Sequence, residues 1–207
     1  MLKFYPVYLD VNDKKCVIIG GGNVAYRKAC SLREAGADVT VISPDTCPEM
    51  TKKKGLTLIN ESYNERFLDD AMLVIAATDD EEINRKVSMD AGKRNIIVNV
   101  VDRPELCSFI VPATVNRGDL CISISTGGAS PALARNIRKE LEVVFGSEYG
   151  AYIDLLTKMR NVAMSTVKDD AKRRRILQRL AEKDILEIVK TKGTEEAEAE
   201  MRKIINQ

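Results

Sequence analysis

Histidine and tryptophan are absent from this 207-residue chain, and aromatic residues make up only 5% of it. Without imidazole, the commonest general base and the commonest transition-metal ligand are both missing. Acid–base chemistry therefore falls to carboxylates, hydroxyls or backbone groups, and no resident metal is expected. No apolar run approaches the ~20 residues of a membrane span. The opening Met1-Leu2-Lys3-Phe4-Tyr5-Pro6 is too polar and short for a signal peptide, so a cytoplasmic location is expected. The five cysteines, at 16, 30, 47, 107 and 121, form no C-x-x-C pair, and their odd number argues against a disulfide framework. Cys16 and Cys121 lie inside apolar strand-like runs and are predicted to be small buried hydrophobes. There is little net charge, +1 in all. The one basic cluster, Lys172-Arg173-Arg174-Arg175, reads as a solvated helix face, so nucleic acid is not indicated as a partner.

Glycine, by contrast, is concentrated where it carries information. The apolar run Cys16-Val17-Ile18-Ile19 meets Gly20-Gly21-Gly22, and a helical pattern starting at Asn23-Val24-Ala25 follows. Written Gly20-x-Gly22-x-x-Ala25, this fits a dinucleotide-binding fingerprint. The first glycine permits the tight turn, the second lets a pyrophosphate approach the backbone, and the small third residue lets helix pack on strand. The amides opening that helix face the phosphates, where the helix dipole favours negative charge. Val24, Ala25, Ala29 and Leu32 keep near-helical spacing, Gly36 stands where a helix stops, and Asp38-Val39-Thr40-Val41-Ile42 supplies the second strand. That completes a βαβ unit.

An acidic residue expected ~20 positions after the glycines to bind the adenosine ribose is displaced. Ser43 holds the strand end, with Pro44 and Asp45 behind it. Asp45, or Ser43 with backbone groups, is able to meet the ribose hydroxyls. No arginine stands beside Ser43 to pair a 2′-phosphate, which favours NAD over NADP.

Further strand-like and helical runs alternate through the first hundred residues, the pattern of a doubly wound parallel sheet. Residues 55–59, 72–77 and 95–101 read as strands and Glu81 to Lys93 as a helix. Ligands of such sheets bind beyond the carboxyl ends of the strands. Gly20–Gly22, Ser43–Asp45, Ala77–Asp79 and Asn99–Asp102 should therefore converge on one crevice. After Pro112, Ala113-Thr114-Val115 and residues 120–125 read as a hairpin turning at Asn116-Arg117-Gly118-Asp119. Thr126-Gly127-Gly128-Ala129-Ser130-Pro131 leads into a helix over 132–145, with Ser130 as its N-cap. Its exposed glycine amides suit a carboxylate as well as they suit a plain turn. From Tyr149 onward the chain reads as charged helices with two apolar stripes. The final segment, 194–207, reads as an exposed or fraying helix.

Together these blocks resemble the precorrin-2 dehydrogenase family of sirohaem synthesis, including bifunctional dehydrogenase–ferrochelatases and the N-terminal module of sirohaem synthases. The resemblance rests on Tyr5-Pro6-Val7-Tyr8-Leu9, Gly20 to Ala25 with Arg27-Lys28, Ala76-Ala77-Thr78-Asp79-Asp80, Asn99-Val100-Val101-Asp102 with Ser108 to Ala113, and Ser125 to Ala134. It implies a Rossmann-type NAD-binding domain over 1–112, a dimerisation region over 113–147 and a C-terminal helical domain over 148–207. The implied activity is NAD-dependent oxidation of precorrin-2, a tetrapyrrole, to sirohydrochlorin by a homodimer.

The resemblance also places a functional aspartate at Asp102, for the catalytic step and for contact with the macrocycle. Gly20, Gly21, Gly22, Asn23, Val24, Ser43, Pro44, Asp45, Ala77 and Thr78 would hold the cofactor. Thr126, Gly127 and Gly128 would meet the substrate, whose carboxylates call for amides and for cations such as Arg103, Arg117 or Arg135. Thr126 stands where some relatives carry a phosphorylatable serine. Two alternatives stay open: an enzyme that also inserts iron, and a non-catalytic NAD-sensing module.

Overall fold

The computed structural model describes residues 4–207, which form two compact units, one ending at Val111 and the other running from Pro112 to Gln207. In the first unit β1 (Lys15–Ile19), α1 (Asn23–Glu34), β2 (Asp38–Ile42), α2 (Pro48–Lys52), β3 (Leu56–Ile59), β4 (Leu73–Ala76), α3 (Glu81–Lys93) and β5 (Ile97–Val100) follow in order. The five strands are parallel, in the order β3-β2-β1-β4-β5. The chain thus winds outward from β1 first one way and then the other, and the strand order reverses between β1 and β4. A crevice opens at such a reversal.

The near-continuous apolar content of the inner strands is what a sheet covered on both faces requires. Cys16 and Ile18 of β1 face Ala25 and Ala29 of α1 and Met50 of α2, together with Val39, Val41, Leu73 and Ile75. Val17 and Ile19 point the other way, toward Val87 and Ala91 of α3, with Val74, Ala76, Val98 and Val100. Each such fully buried aliphatic side chain is worth ~1.5–3 kcal/mol in transfer from water. The sheet residues that precede the crevice are therefore packed on both faces. The strands at 55–59, 72–77 and 95–101 are each shorter than their apolar runs, and α2, a five-residue helix opened by Pro48, carried no periodic signal of its own.

The second unit begins with β6 (Ala113–Arg117) and β7 (Leu120–Ile124), an antiparallel pair on its own. β6 runs two residues further than predicted, so the turn shrinks to Gly118-Asp119, with Gly118 at φ +58°, while β7 stops one residue short of the predicted 125. α4 (Pro131–Val144), α5 (Glu148–Thr166), α6 (Asp170–Leu180), α7 (Lys183–Lys192) and α8 (Thr194–Asn206) complete it. One predicted stripe divides here into α6 and α7, because the chain breaks at Ala181-Glu182. There the Tyr152 hydroxyl donates to the carbonyl of Leu180 at 2.9 Å.

Two expectations are overturned. The last segment is a core helix rather than an exposed one: Ala197, Met201, Ile204 and Ile205 recur at helical spacing and pack against Leu155, Met159, Ile176, Leu180 and Ile185. Its abundant glutamates occupy the outer face and masked that stripe. Cys121 is exposed, because alternation along β7 turns Ile122 and Ile124 inward and Cys121 and Ser123 outward. Cys16 is fully buried as expected, and burial followed by the nearby Asp38 pushes its thiol up to about 11. No helix among the described residues is long and apolar enough to cross a membrane.

Candidate functional site

The glycine segment leaves β1 at the point where the winding reverses. Gly20 has φ +120°, and a Cβ there would collide with the backbone carbonyl of Ala77 at the end of β4. Only glycine lets these two chain segments touch. A Cβ on Gly21 would strike the Asp45 carbonyl and sit 2.8 Å from Ser43 Oγ. The loop is fastened on this side as well, since Gly20 N–H donates to Ile42 O at 2.9 Å and Cys47 N–H donates to Gly21 O at 2.8 Å.

Gly22 differs from its neighbours. Nothing lies within 4 Å of the position its Cβ would take, and its φ of −79° suits any residue. It is the N-cap of α1, yet no side chain caps the helix and no acidic residue occupies its first turn. The amides that open the helix at Asn23 and Val24 consequently have no capping side chain, with the positive end of the helix dipole behind them. This is a cradle with room for a phosphate, and the residues fit the pyrophosphate of a dinucleotide.

Beyond β2, Ser43 is nearly buried and its hydroxyl donates to the Asp45 carbonyl at 2.6 Å. That bond curls Ser43-Pro44-Asp45 back toward Gly21 and leaves the Asp45 side chain exposed. Beyond β4, Thr78 is held by Asn84, a buried side chain on the first turn of α3 that the sequence reading passed over. Asn84 Nδ2 donates to Thr78 O at 2.9 Å, and Asn84 Oδ1 lies 2.9 Å from the Thr78 hydroxyl. Asp80 caps the same helix, accepting from the amides of Glu82 and Ile83. The signal available was a threonine six residues before an asparagine across a helix start.

Beyond β5 lies Asp102, exposed and at φ +59°, a left-handed conformation uncommon outside glycine. Among the described residues its carboxylate has no hydrogen bond or ion pair. The loop that carries it is tied down on either side. Cys107 Sγ accepts from Val100 N–H at 3.1 Å and lies 3.2 Å from Arg103 O. Ser108 Oγ accepts from Val98 N–H at 2.8 Å, and Asn99 Nδ2 donates to Phe109 O at 3.0 Å. Burial is the main cause that pushes the Cys107 thiol upward. Strand ends, glycine contacts and the bond from Val101 N–H to Ala76 O bring Gly20–Gly22, Ser43–Asp45, Ala77–Thr78 and Asp102 to one edge of the sheet.

Thr126, Gly127 and Gly128 belong to the second unit. There the Thr126 hydroxyl closes the turn, accepting from Ser130 N–H at 3.0 Å, and Ser130 Oγ caps α4 through Leu133 N–H. Gly127 and Gly128 have φ of +62° and +87°, with open space where side chains would be. The three suggested cations have unlike surroundings. Arg117 is occupied, donating to the carbonyls of Phe145 and Glu142 at the end of α4, and so is withdrawn as a substrate contact. Arg103 pairs with Glu81, and Arg135 is exposed.

Comparison with known proteins agrees with this geometry. A family model described as NAD(P)-binding matches residues 7–113, and one described as the central part of a sirohaem biosynthesis protein matches residues 117–143. A siroheme synthase of Thioalkalivibrio sulfidiphilus is 41% identical over 202 residues, 96% of this chain and 41% of that protein. One of Pseudoalteromonas translucida is 34% identical over 99% of this chain and 44% of its own length. The chain therefore spans about two-fifths of the curated relatives it matches. Among solved structures, SirC, a precorrin-2 dehydrogenase, superposes with a TM-score of 0.83 at 24% identity, covering 98% of this chain and 99% of that one, and so shares its fold. With over half of its residues inside the first model, the chain belongs to the NAD(P)-binding family that the model describes, and the sirohaem model follows directly behind it.

Proposed function

We propose that this chain oxidises precorrin-2 to sirohydrochlorin with NAD+ as hydride acceptor. The observation that carries the reading is the uncapped, acid-free start of α1 behind Gly22, set at the reversal of a parallel sheet, in a chain that resembles siroheme synthases along nearly all of its length. When bound, NAD+ supplies a two-electron acceptor for the hydride that leaves the macrocycle.

The chain's own residues do the rest. Amides of Gly22, Asn23 and Val24 hold the pyrophosphate, and Gly20 and Gly21 let the backbone come close. Ser43, Pro44 and Asp45 meet the adenosine ribose, where the Asp45 carboxylate disfavours a 2′-phosphate and so selects NAD. Ala77 and Thr78 form the wall beside the cofactor. Asp102, with an unpaired carboxylate at the rim of the crevice, accepts the proton released as the hydride departs, or orients the macrocycle for that transfer. Thr126, whose hydroxyl is bonded to Ser130 in both directions, shapes the turn, and Gly127 and Gly128, without side chains, let the substrate's carboxylates approach the backbone there.

Residues 113–147 serve as the dimerisation region. Within its unit, this stretch buries only Val115 and Ala134, while Leu133, Val143 and Val144 are more than half exposed. A second copy covering that face gives a homodimer. The cytoplasm, where NAD is plentiful, is the compartment that suits this reaction.

The test is to incubate the purified protein with precorrin-2 and NAD+ and follow the sirohydrochlorin absorption. Product that depends on both supports the reading. NAD binding with no product would make the chain a sensing module instead.

A further inference from the structure

We infer that Asn84 is a positioning residue for the dinucleotide: it sets the wall of the cofactor cleft from behind, through Thr78 and Ala77, and thereby fixes the glycine segment. The inference rests on the reading of Gly20–Gly22 as the phosphate cradle. Asn84 is 6% exposed and sits in the first turn of α3, a place where asparagine earns nothing as a helix former. Its amide is committed to one residue. Nδ2 donates to Thr78 O at 2.9 Å, Oδ1 is 2.9 Å from Thr78 Oγ1, and Thr78 N–H donates weakly to Oδ1 at 3.4 Å.

Both backbone polar groups of Thr78 are thereby gripped by a single side chain, and its hydroxyl is shared between Asn84 Oδ1 and the backbone of Asp80. The preceding peptide inherits that constraint. Ala77 N–H is bonded to Ile19 O at 2.8 Å, and the Ala77 carbonyl occupies the space that a Cβ on Gly20 would need. A shift of the 77–78 peptide thus meets Gly20 directly, and Gly20 carries the turn that presents the open start of α1. Asp80 already caps α3, so helix capping does not explain why Asn84 is there. An apolar residue in its place would fill the same buried volume at less desolvation cost, leaving the hold on Thr78 as its distinctive contribution.

Asn84→Ala and Asn84→Asp, measured against wild type by calorimetric titration with NAD and by thermal melts, test this. Asp90→Asn is the control: Asp90 is equally buried on the same helix, where it pairs with Tyr63 and Lys93 away from the cleft. Well below every melting temperature, Asn84→Ala is expected to raise the NAD Kd about tenfold, the worth of one to two hydrogen bonds. Asn84→Asp, which keeps the acceptor for the Thr78 hydroxyl but turns a carboxylate oxygen toward its carbonyl, should raise Kd at least as far and serves if the alanine variant does not fold. Asp90→Asn should lower the melting temperature and leave Kd within twofold. An unchanged Kd in folded Asn84 variants, or an equal rise in Asp90→Asn, overturns the inference. Failure of the cradle itself is separable, since Gly22→Asp would then bind NAD normally.

Discussion

Placing a carboxylate at position 22 should separate binding from folding more cleanly than any other change in this chain. A Cβ there meets nothing within 4 Å, and φ of −79° costs an L-residue nothing. Aspartate is moreover a better N-cap than glycine by a few tenths of a kcal/mol, and losing glycine's freedom in the unfolded chain contributes about 0.4–1 kcal/mol more. Gly22→Asp should thus melt at or slightly above the wild-type temperature. Its effect on NAD runs the other way. A carboxylate about 4 Å from a phosphate, at an effective dielectric constant of about 20, meets ~4 kcal/mol of repulsion, a weakening on the order of 10³-fold. Its own hydrogen bond to the helix amides also takes the donors the pyrophosphate needs. The comparison variant is Gly21→Ala, whose single methyl collides with the Asp45 carbonyl and should lower the melting temperature instead. Calorimetric titration with NAD and a thermal melt on each variant decide the matter. Near-normal NAD affinity in Gly22→Asp would mean the phosphates lie elsewhere, and the reasoning from the open helix start would fail.

Asp102→Ala should cut turnover by about 10²–10⁴-fold while changing NAD affinity little, and Asp102→Asn should be as poor if proton transfer matters but much better if the carboxylate only orients substrate. Asp102→Gly should be equally inactive yet more stable by about 1 kcal/mol, because φ of +59° suits glycine; unchanged rates in all three would remove Asp102 from the mechanism. Light scattering should give a dimer, and Val143→Asp on the exposed face of α4 should shift it toward monomer; a fully active wild-type monomer would contradict the assignment of 113–147. Sirohydrochlorin with Co²⁺ and no NAD should metallate no faster than a protein-free control, since among the described residues no three Cys, Asp or Glu side chains gather as a ligand set; acceleration lost in Asp102→Ala would make the chain bifunctional. Arg179, bonded to Asp184 at 2.6 and 2.8 Å, holds that carboxyl below its usual range, so its contribution to stability is complete above about pH 4 and falls away as pH drops further. Arg179→Met should flatten the acid limb of a melting-temperature profile, and an unaltered limb would discount the pair.

The parts of the fold that the sequence made legible are those with one dominant cause. Cys16 to Ile19 is apolar on both faces and meets glycines, so a central buried strand followed by a tight turn was readable from residue order alone. α3 matched at both ends because Asp80 and the Glu81-Glu82 pair announce its start. Where causes compete, reading falters. In α8 the glutamates are as many as the buried residues, and only contact with α5, α6 and α7 reveals which face is interior. Cys121 depended on strand phase, which a hydrophobic run does not specify. At the site, the glycines were visible because their role is local. Asn84, Cys107 and Ser108 act through hydrogen bonds to residues six to ten positions away, and no periodicity encodes such bonds. Arg117 was misjudged for the same reason: the carbonyls it caps lie 25 and 28 residues downstream.

The ties that fasten residues 107–109 alongside β5 have a bearing on solubility. β5 is the margin of the sheet, and an open margin is a template for pairing with another chain. Ser108 N–H donates to Val98 O and Ser108 Oγ accepts from Val98 N–H, both at 2.8 Å, so that margin is already spoken for. The same ties anchor the loop holding Asp102. A substitution that loosened Ser108 would unseal the sheet toward aggregation and release the candidate catalytic turn at one stroke. Loss of activity and loss of soluble yield should therefore travel together at this position, and at Asp102 itself they should not.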